Sequence, residues 1–102
     1  MRHAALTEAD VREALREVID PELGVNIVDL GLVYRVDVDD DVARITMTMT
    51  SPACPLRDYL QDLVESAVTA LVADAQRVIV EIVTEPPWTA DLMSEAARRQ
   101  LG

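Results

Sequence analysis

The stretch "LVYRVDVDDDVARITMTMT", residues 32–50, constrains the fold more than any other part of the chain. Apolar and polar residues alternate along it with a period of two, the pattern of a half-buried strand. Three consecutive aspartates, Asp39–Asp41, break the pattern at a turn. The segment therefore reads as an antiparallel hairpin built from "LVYRVDVD" and "VARITMTMT". In the second strand Ile45, Met47 and Met49 share one face, while Arg44, Thr46, Thr48 and Thr50 share the other. A sheet with one apolar face must bury it against another layer, which the rest of the chain has to supply.

Helical spacing flanks the hairpin. Thr7 can cap a first helix, with Asp10 three residues later as in a capping box. Val11, Leu15, Val18 and Ile19 then fall on one face, and Pro21 ends the helix by excluding Asp20 from the α region. A loop, "DPELGVNIVDLG", leads into the hairpin. From Pro55 to about Val72 a second helix carries Leu56, Leu60, Leu63, Ala67 and Leu71 as its buried stripe. "RVIVEIV" is a third strand, apolar enough to be covered on both faces. "TEPPW" breaks the chain, and Thr89 can cap a last helix through "ADLMSEAARRQL", closed by Gly102. The expected fold is a single α/β (α+β) domain over residues 1–102, in the order α-β-β-α-β-α. Its small three-stranded mixed sheet is covered by helices, and a right-handed crossover makes strands two and three parallel.

The 102 residues suffice for one core. Half are hydrophobic and only three are aromatic, so Val, Leu, Ile, Ala and Met must build it. A single cysteine excludes an internal disulfide and points to a reducing compartment. No leader pattern opens the chain and no apolar run reaches the roughly 18 residues of a membrane span, so a cytoplasmic protein is expected. Nineteen acidic residues against nine basic ones, all arginine, give a formal charge of −10. Such a surface repels phosphate backbones and anionic membranes, which argues against both as partners.

The single cysteine, Cys54, stands between Pro52 and Pro55, where the strand pattern gives way to the helical one. Orphan N–H groups and the positive end of the helix dipole gather at such a junction. A thiolate there is stabilised, and its pKa is expected below the roughly 8.5 of a free thiol. Pro55 suits the first helical position, because its missing N–H would have had no partner. The plainer alternative is a small buried hydrophobe, since free cysteine is among the most buried residue types. The only histidine, His3, lies in the N-terminal tail, so a Cys–His enzyme lacks its base. One thiolate closes neither a zinc site nor an iron–sulfur cluster. Two chains sharing a group, or Cys54 acting with carboxylates or a partner's thiols, stay open.

Two further loops can carry chemistry. Asp20, Glu22 and Asp29 place three carboxylates within ten residues, at no EF-hand spacing. They either bond local backbone N–H groups, as turn aspartates do, or form a site if the fold sets them beside Cys54. "EPPWT" is a rigid corner holding the only tryptophan, either a lid on the core edge or a docking surface.

Taken together and in order, "DPELGVNIVDLGLVY", "MTMTSPACP" and "EPPW…MSEAARRQLG" resemble the SufT/PaaD-like iron–sulfur assembly family, from about Val11 to Gly102. The resemblance implies an α/β domain related to the C-terminal domain of NifU-type scaffolds, and a part in maturing iron–sulfur proteins. It carries the family's acidic pair onto Asp20 and Glu22 and the aspartate of its Val-Asp-Leu-Gly segment onto Asp29. The reactive cysteine falls on Cys54, with Thr50 and Pro52 matching and Ser51 between them. The Pro-Pro-Trp corner is Pro86, Pro87 and Trp88. Thr84 stands where many relatives carry a tryptophan, and the cysteine-rich C-terminal segment of PaaD-type proteins is absent, which favours the general SufT-like branch.

The function implied is a non-enzymatic accessory factor in iron–sulfur cluster assembly or transfer, with Cys54 as its thiolate and a cluster ligand. The cluster would be bound transiently or at a homodimer interface. The partners implied are the assembly machinery and client apoproteins. The rivals are a metal-free adaptor docking clients through the Trp88 corner, and a thiol enzyme using a carboxylate near Cys54. The three loops are expected to meet at one edge of the sheet, where α/β folds place their sites.

Overall fold

The computed structural model describes residues 6–50 and 54–101. Its elements are α1 (Glu8–Leu15), β1 (Val33–Asp39), β2 (Val42–Met47), α2 (Cys54–Leu71), β3 (Arg77–Ile82), a 3₁₀ turn (Ala90–Leu92) and α3 (Glu95–Leu101). The order is the expected α-β-β-α-β-α, around one mixed sheet of strand order β1-β2-β3.

The alternation in residues 32–50 does form the hairpin. β1 and β2 pair antiparallel, with Asp39 opposite Val42 at the turn and Val36 opposite Ile45 within the sheet. Asp40 takes a left-handed φ of 56° there, which aspartate tolerates better than most residues. β2 runs parallel to β3, from Val42 opposite Arg77 to Met47 opposite Ile82, and α2 is the crossover that a parallel pair requires. Val36, Ala43, Ile45, Met47 and Val80 bury the inner face. α2 packs on β3, and α1 packs on α2 and β1. Among the described residues no helix is long and apolar enough to cross a membrane.

Five local expectations are corrected. Thr7 does cap α1, its Oγ1 accepting the Asp10 N–H at 3.1 Å, but the helix stops at Leu15 rather than running to Pro21. Val18 and Ile19, both β-branched, turn extended instead. Ile19 bridges Asn26, the Ile27 N–H donates to the Val18 carbonyl at 3.0 Å, and the Asp20 N–H donates to Val25 at 3.0 Å. Val18 stays in the core, while Ile19 is 47% exposed.

The second correction is the stripe of α2. Leu60, Val64 and Val68 are fully buried, each worth roughly 1.5–3 kcal/mol in apolar area removed from water. Leu56, Leu63 and Ala67 only flank the core, and Leu71 is 56% exposed. The apolar arc of α2 is wider than the layer beneath it.

Third, β3 is an edge strand with only Val80 buried, so its apolar run reflects β propensity rather than cover on both faces. Fourth, β2 ends at Met47, and Thr48 turns inward instead of joining the polar face. Its hydroxyl donates to the Val83 carbonyl at 2.8 Å, which makes the burial tolerable. Fifth, the last helix is split. Thr89 makes no side-chain cap bond to the 3₁₀ turn, and Ser94 caps α3 instead, its Oγ accepting the Ala97 N–H at 3.2 Å. Gly102, the expected stop, lies outside the described residues.

Candidate functional site

The sheet register explains where the motifs go. Val33 lies opposite Met47, and Met47 opposite Ile82. The start of β1 and the ends of β2 and β3 therefore share one end of the sheet. The loop of residues 20–32 enters there, and the segments that follow β2 and β3 leave there. The strand directions alone bring all three motif-bearing segments to that end.

Asp20 opens the loop and is fully buried. A carboxylate in that position needs hydrogen-bond donors. Its Oδ1 accepts from the backbone N–H of Glu22 at 2.7 Å and of Leu23 at 3.2 Å, a turn shaped by Pro21 between them. Its backbone carbonyl accepts from the Gly24 N–H at 2.8 Å. The Thr50 hydroxyl lies 3.3 Å from Asp20 Oδ2 and 3.1 Å from Glu22 Oε1. A hydroxyl has one proton, so it donates to one carboxylate at a time and can switch between them. Thr50 begins the connection that leads into α2, whose first residue is Cys54. Ser51 and Pro52, together with the Cys54 side chain, lie outside the described structure.

Asp29 does not join this group. Its Oδ2 accepts from the Asn26 Nδ2 at 2.7 Å, and its own N–H donates to Asn26 Oδ1 at 2.9 Å. Arg16, the residue that caps the C-terminus of α1, places Nη1 3.4 Å from Asp29 Oδ1. The Ser94 N–H, at the head of α3, donates to the Asp29 carbonyl at 2.7 Å. The Asn26 amide above all holds the Asp29 carboxyl below its ordinary pKa; partial burial opposes this, and Ser94 and Arg16 assist. Asp29 thus clamps the loop to α1 and to the start of α3.

The proline–tryptophan corner closes over the same loop. Trp88 is half-buried against the core, and its Nε1 donates to the Leu30 carbonyl at 2.6 Å. The Tyr34 hydroxyl donates to the Pro86 carbonyl at 2.6 Å. Pro86 and Pro87 are exposed. Gly31, beside Leu30, has φ +81°, and a Cβ there would meet the Leu92 backbone carbonyl. That approach admits only glycine.

Of the residues singled out in the sequence, Asp20, Glu22 and Thr50 come together, while Asp29 and Trp88 hold the loop from other sides and Pro86 is tied to Tyr34 of β1. Among the described residues no group of three or more histidine, cysteine, aspartate or glutamate side chains is placed to hold a metal ion. Asn26, Arg16 and Ser94 escaped the sequence reading. The Asn-x-x-Asp spacing of residues 26–29 is a usable signal for the first, and serine three residues before Ala97 for the last. Nothing local marks Arg16, which is 13 residues from Asp29.

The matching family is described as "Iron-sulfur cluster assembly protein", and the match runs over residues 8–82, from α1 to the end of β3. The chain belongs to that family. It is 49% identical over 94 residues to the Fe-S protein maturation auxiliary factor YitW of Bacillus subtilis, with 91% of each chain covered. It is 50% identical over 86 residues to the Fe-S protein maturation auxiliary factor SufT of Staphylococcus aureus, covering 83% of this chain and 97% of that one. The crystal structure of a DUF59 domain from Bacillus anthracis superposes with a TM-score of 0.89 at 43% identity, covering 93% of this chain and 91% of that one. The matched stretch thus contains the Asp20–Thr50 group and Cys54, while the Trp88 corner and the Ser94 cap lie past residue 82.

Proposed function

We propose that this family member is an accessory factor in the maturation of iron–sulfur proteins, that it helps assemble a cluster or pass it to client apoproteins, and that Cys54 is its working thiol. The observation that carries the reading is the Thr50 hydroxyl, 3.3 Å from Asp20 Oδ2 and 3.1 Å from Glu22 Oε1. It ties the acidic loop to the connection that opens α2 at Cys54. Orphan N–H groups and the helix dipole at that point favour a thiolate. The cluster is cargo, because one thiolate is one of about four ligands in the usual ligation. The remaining ligands come from a client, from the assembly machinery or from a second copy. The only histidine, His3, is far from Cys54 in sequence, and the role in this reading is carriage rather than catalysis, with the cytoplasm as its place. The names of the YitW and SufT relatives support the role.

The test is complementation in a bacterium lacking its own family member, reading the activity of iron–sulfur enzymes in anaerobic extracts. The native chain is expected to restore activity, and Cys54→Ser, present at equal level, is expected to fail. Full restoration by Cys54→Ser would sink the carrier reading in favour of a metal-free adaptor. Thiol-dependent turnover of a small substrate without iron would replace it by an enzyme.

A further inference from the structure

Five large hydrophobic residues of the described chain are exposed, and three of them, Ile19, Tyr59 and Leu71, fall on one seam between α1 and α2. Two shallow grooves run along this seam and share Glu17. One, of about 410 Å³, is lined by Glu17, Ile19, Tyr59, Leu63 and Ala67 among others. The other, of about 350 Å³, is lined by Asp10, Glu13, Glu17, Leu71, Val72 and Asp74 among others. The apolar floor is the surplus of α2: its buried ridge is Leu60, Val64 and Val68, leaving Tyr59, Leu63, Ala67 and Leu71 on the flank facing α1. From Tyr59 to Leu71 the trough extends roughly 18 Å along the helix axis.

The rim has one sign of charge. Asp10, Glu13, Glu17 and Asp74 line the grooves, and no arginine does. None of the four takes part in an ion pair among the described residues; Arg12 of α1 and its C-cap Arg16 are engaged by Glu8 and Asp29. An apolar floor between uncompensated carboxylates selects for its complement, an amphipathic helix with apolar anchors at i, i+3/i+4 and i+7 and with lysine or arginine beside them.

We infer that the α1–α2 seam is a docking trough for a basic amphipathic helix of a partner protein, about three turns long. A second copy of this chain fits it poorly, since its charge is −10 and its surface bears the same sign. The trough adjoins the proposed site: Ile19 precedes Asp20, and Tyr59 lies five residues, roughly 7.5 Å of helix, beyond Cys54. A partner seated in it holds its own ligand-bearing segments near the thiol. The inference rests on the proposed role only for the partner's identity as a client or assembly protein; the trough's chemistry stands without it.

The test uses the full chain, labelled with ¹⁵N, and a synthetic 18-residue leucine–lysine amphipathic peptide, with a leucine–glutamate peptide of the same pattern as control. Native and Cys54→Ser proteins are titrated side by side, so that binding is read independently of thiol or cluster chemistry. The lysine peptide is expected to bind both alike and to shift the amides of Ile19, Tyr59, Leu63, Ala67 and Leu71. Affinity should fall with salt, and the glutamate peptide should not bind. Ile19→Ser and Leu71→Ser, both at exposed positions, are each expected to weaken binding at least fivefold with the fold intact by circular dichroism. Leu101→Ser, exposed elsewhere, should have no effect. Shifts centred on other surfaces, equal binding of both peptides, or indifference to both trough variants would overturn the inference. So would a concentration-dependent doubling of mass that covers the seam with a second copy, or preferential binding of the seam to vesicles instead of the peptide.

Discussion

Asp29 shows how a residue read as a site candidate can serve the scaffold around it. Its carboxyl accepts from Asn26 and faces Arg16, and its backbone carbonyl accepts from Ser94. The Asn26 amide above all, helped by the side chains of Ser94 and Arg16 and opposed by partial burial, holds its folded pKa below the ordinary 3.8. A depressed folded value contributes stability that is complete above the unfolded pKa and is lost as pH falls through the folded one. Asp29→Asn is therefore expected to be less stable than the native chain at neutral pH, with the gap closing as pH falls below about 4. Urea midpoints measured from pH 7 to pH 2 check this; a constant gap would mean that charge is not what Asp29 contributes. Asp20 was legible as a turn residue, because Asp-Pro-Glu places N–H groups two and three residues on within reach of its side chain. Its bond to Thr50, across 30 residues, was not legible, since no local pattern encodes a contact between two loops.

Gly31 sets the spacing between the acidic loop and the segment after β3. It combines a positive φ with a near contact to the Leu92 backbone, whereas Gly24, with φ +71°, has nothing within 4 Å of its absent Cβ. Gly24→Ala is expected to cost roughly 1 kcal/mol through backbone strain alone. Gly31→Ala is expected to cost roughly 2–3 kcal/mol or more, because backbone must also move. Chemical denaturation of both variants decides it, and equal losses would show that the Leu92 contact yields freely. The hairpin and α2 were readable because periodicity dominates there, and the parallel third strand because a β-rich run followed a helical crossover. The end of α1 was not, because Val18 and Ile19 fit a helical face as well as a bridge, and only the facing loop residues 25–27 decide between them. The stripe of α2 was misassigned for a related reason: its apolar arc exceeds what the sheet covers, and sequence counts apolar residues without knowing the width of the layer beneath.

For the molecule as a whole, the proposed role of Cys54 calls for ligands from elsewhere, since one thiolate is one of about four in the usual ligation. If the isolated protein holds a cluster, a second copy is the simplest donor, and a twofold axis sets Cys54 of one protomer against Cys54 of its partner. The charge of −10 opposes this, but screening over roughly 10 Å at 0.1 M salt confines the repulsion to near neighbours. Anaerobic reconstitution with iron and sulfide, followed by sedimentation, is expected to give a cluster-loaded dimer that Cys54→Ser abolishes. A loaded monomer, or a loaded dimer indifferent to the substitution, points to a client as the donor. The same strand directions that gather three segments at one end of the sheet also empty the other. The Asp39–Asp41 turn stands there beside the link from α2 to β3, with the Asp41 carbonyl accepting from the Gln76 and Arg77 N–H groups. The protein thus has a handle opposite its candidate site: an affinity tag or surface anchor grafted at Asp40 would present the acidic loop, α2's first turn and the Trp88 corner outward in one orientation. Immobilised that way, a single chain becomes a bait whose every copy offers the same face to a passing apoprotein.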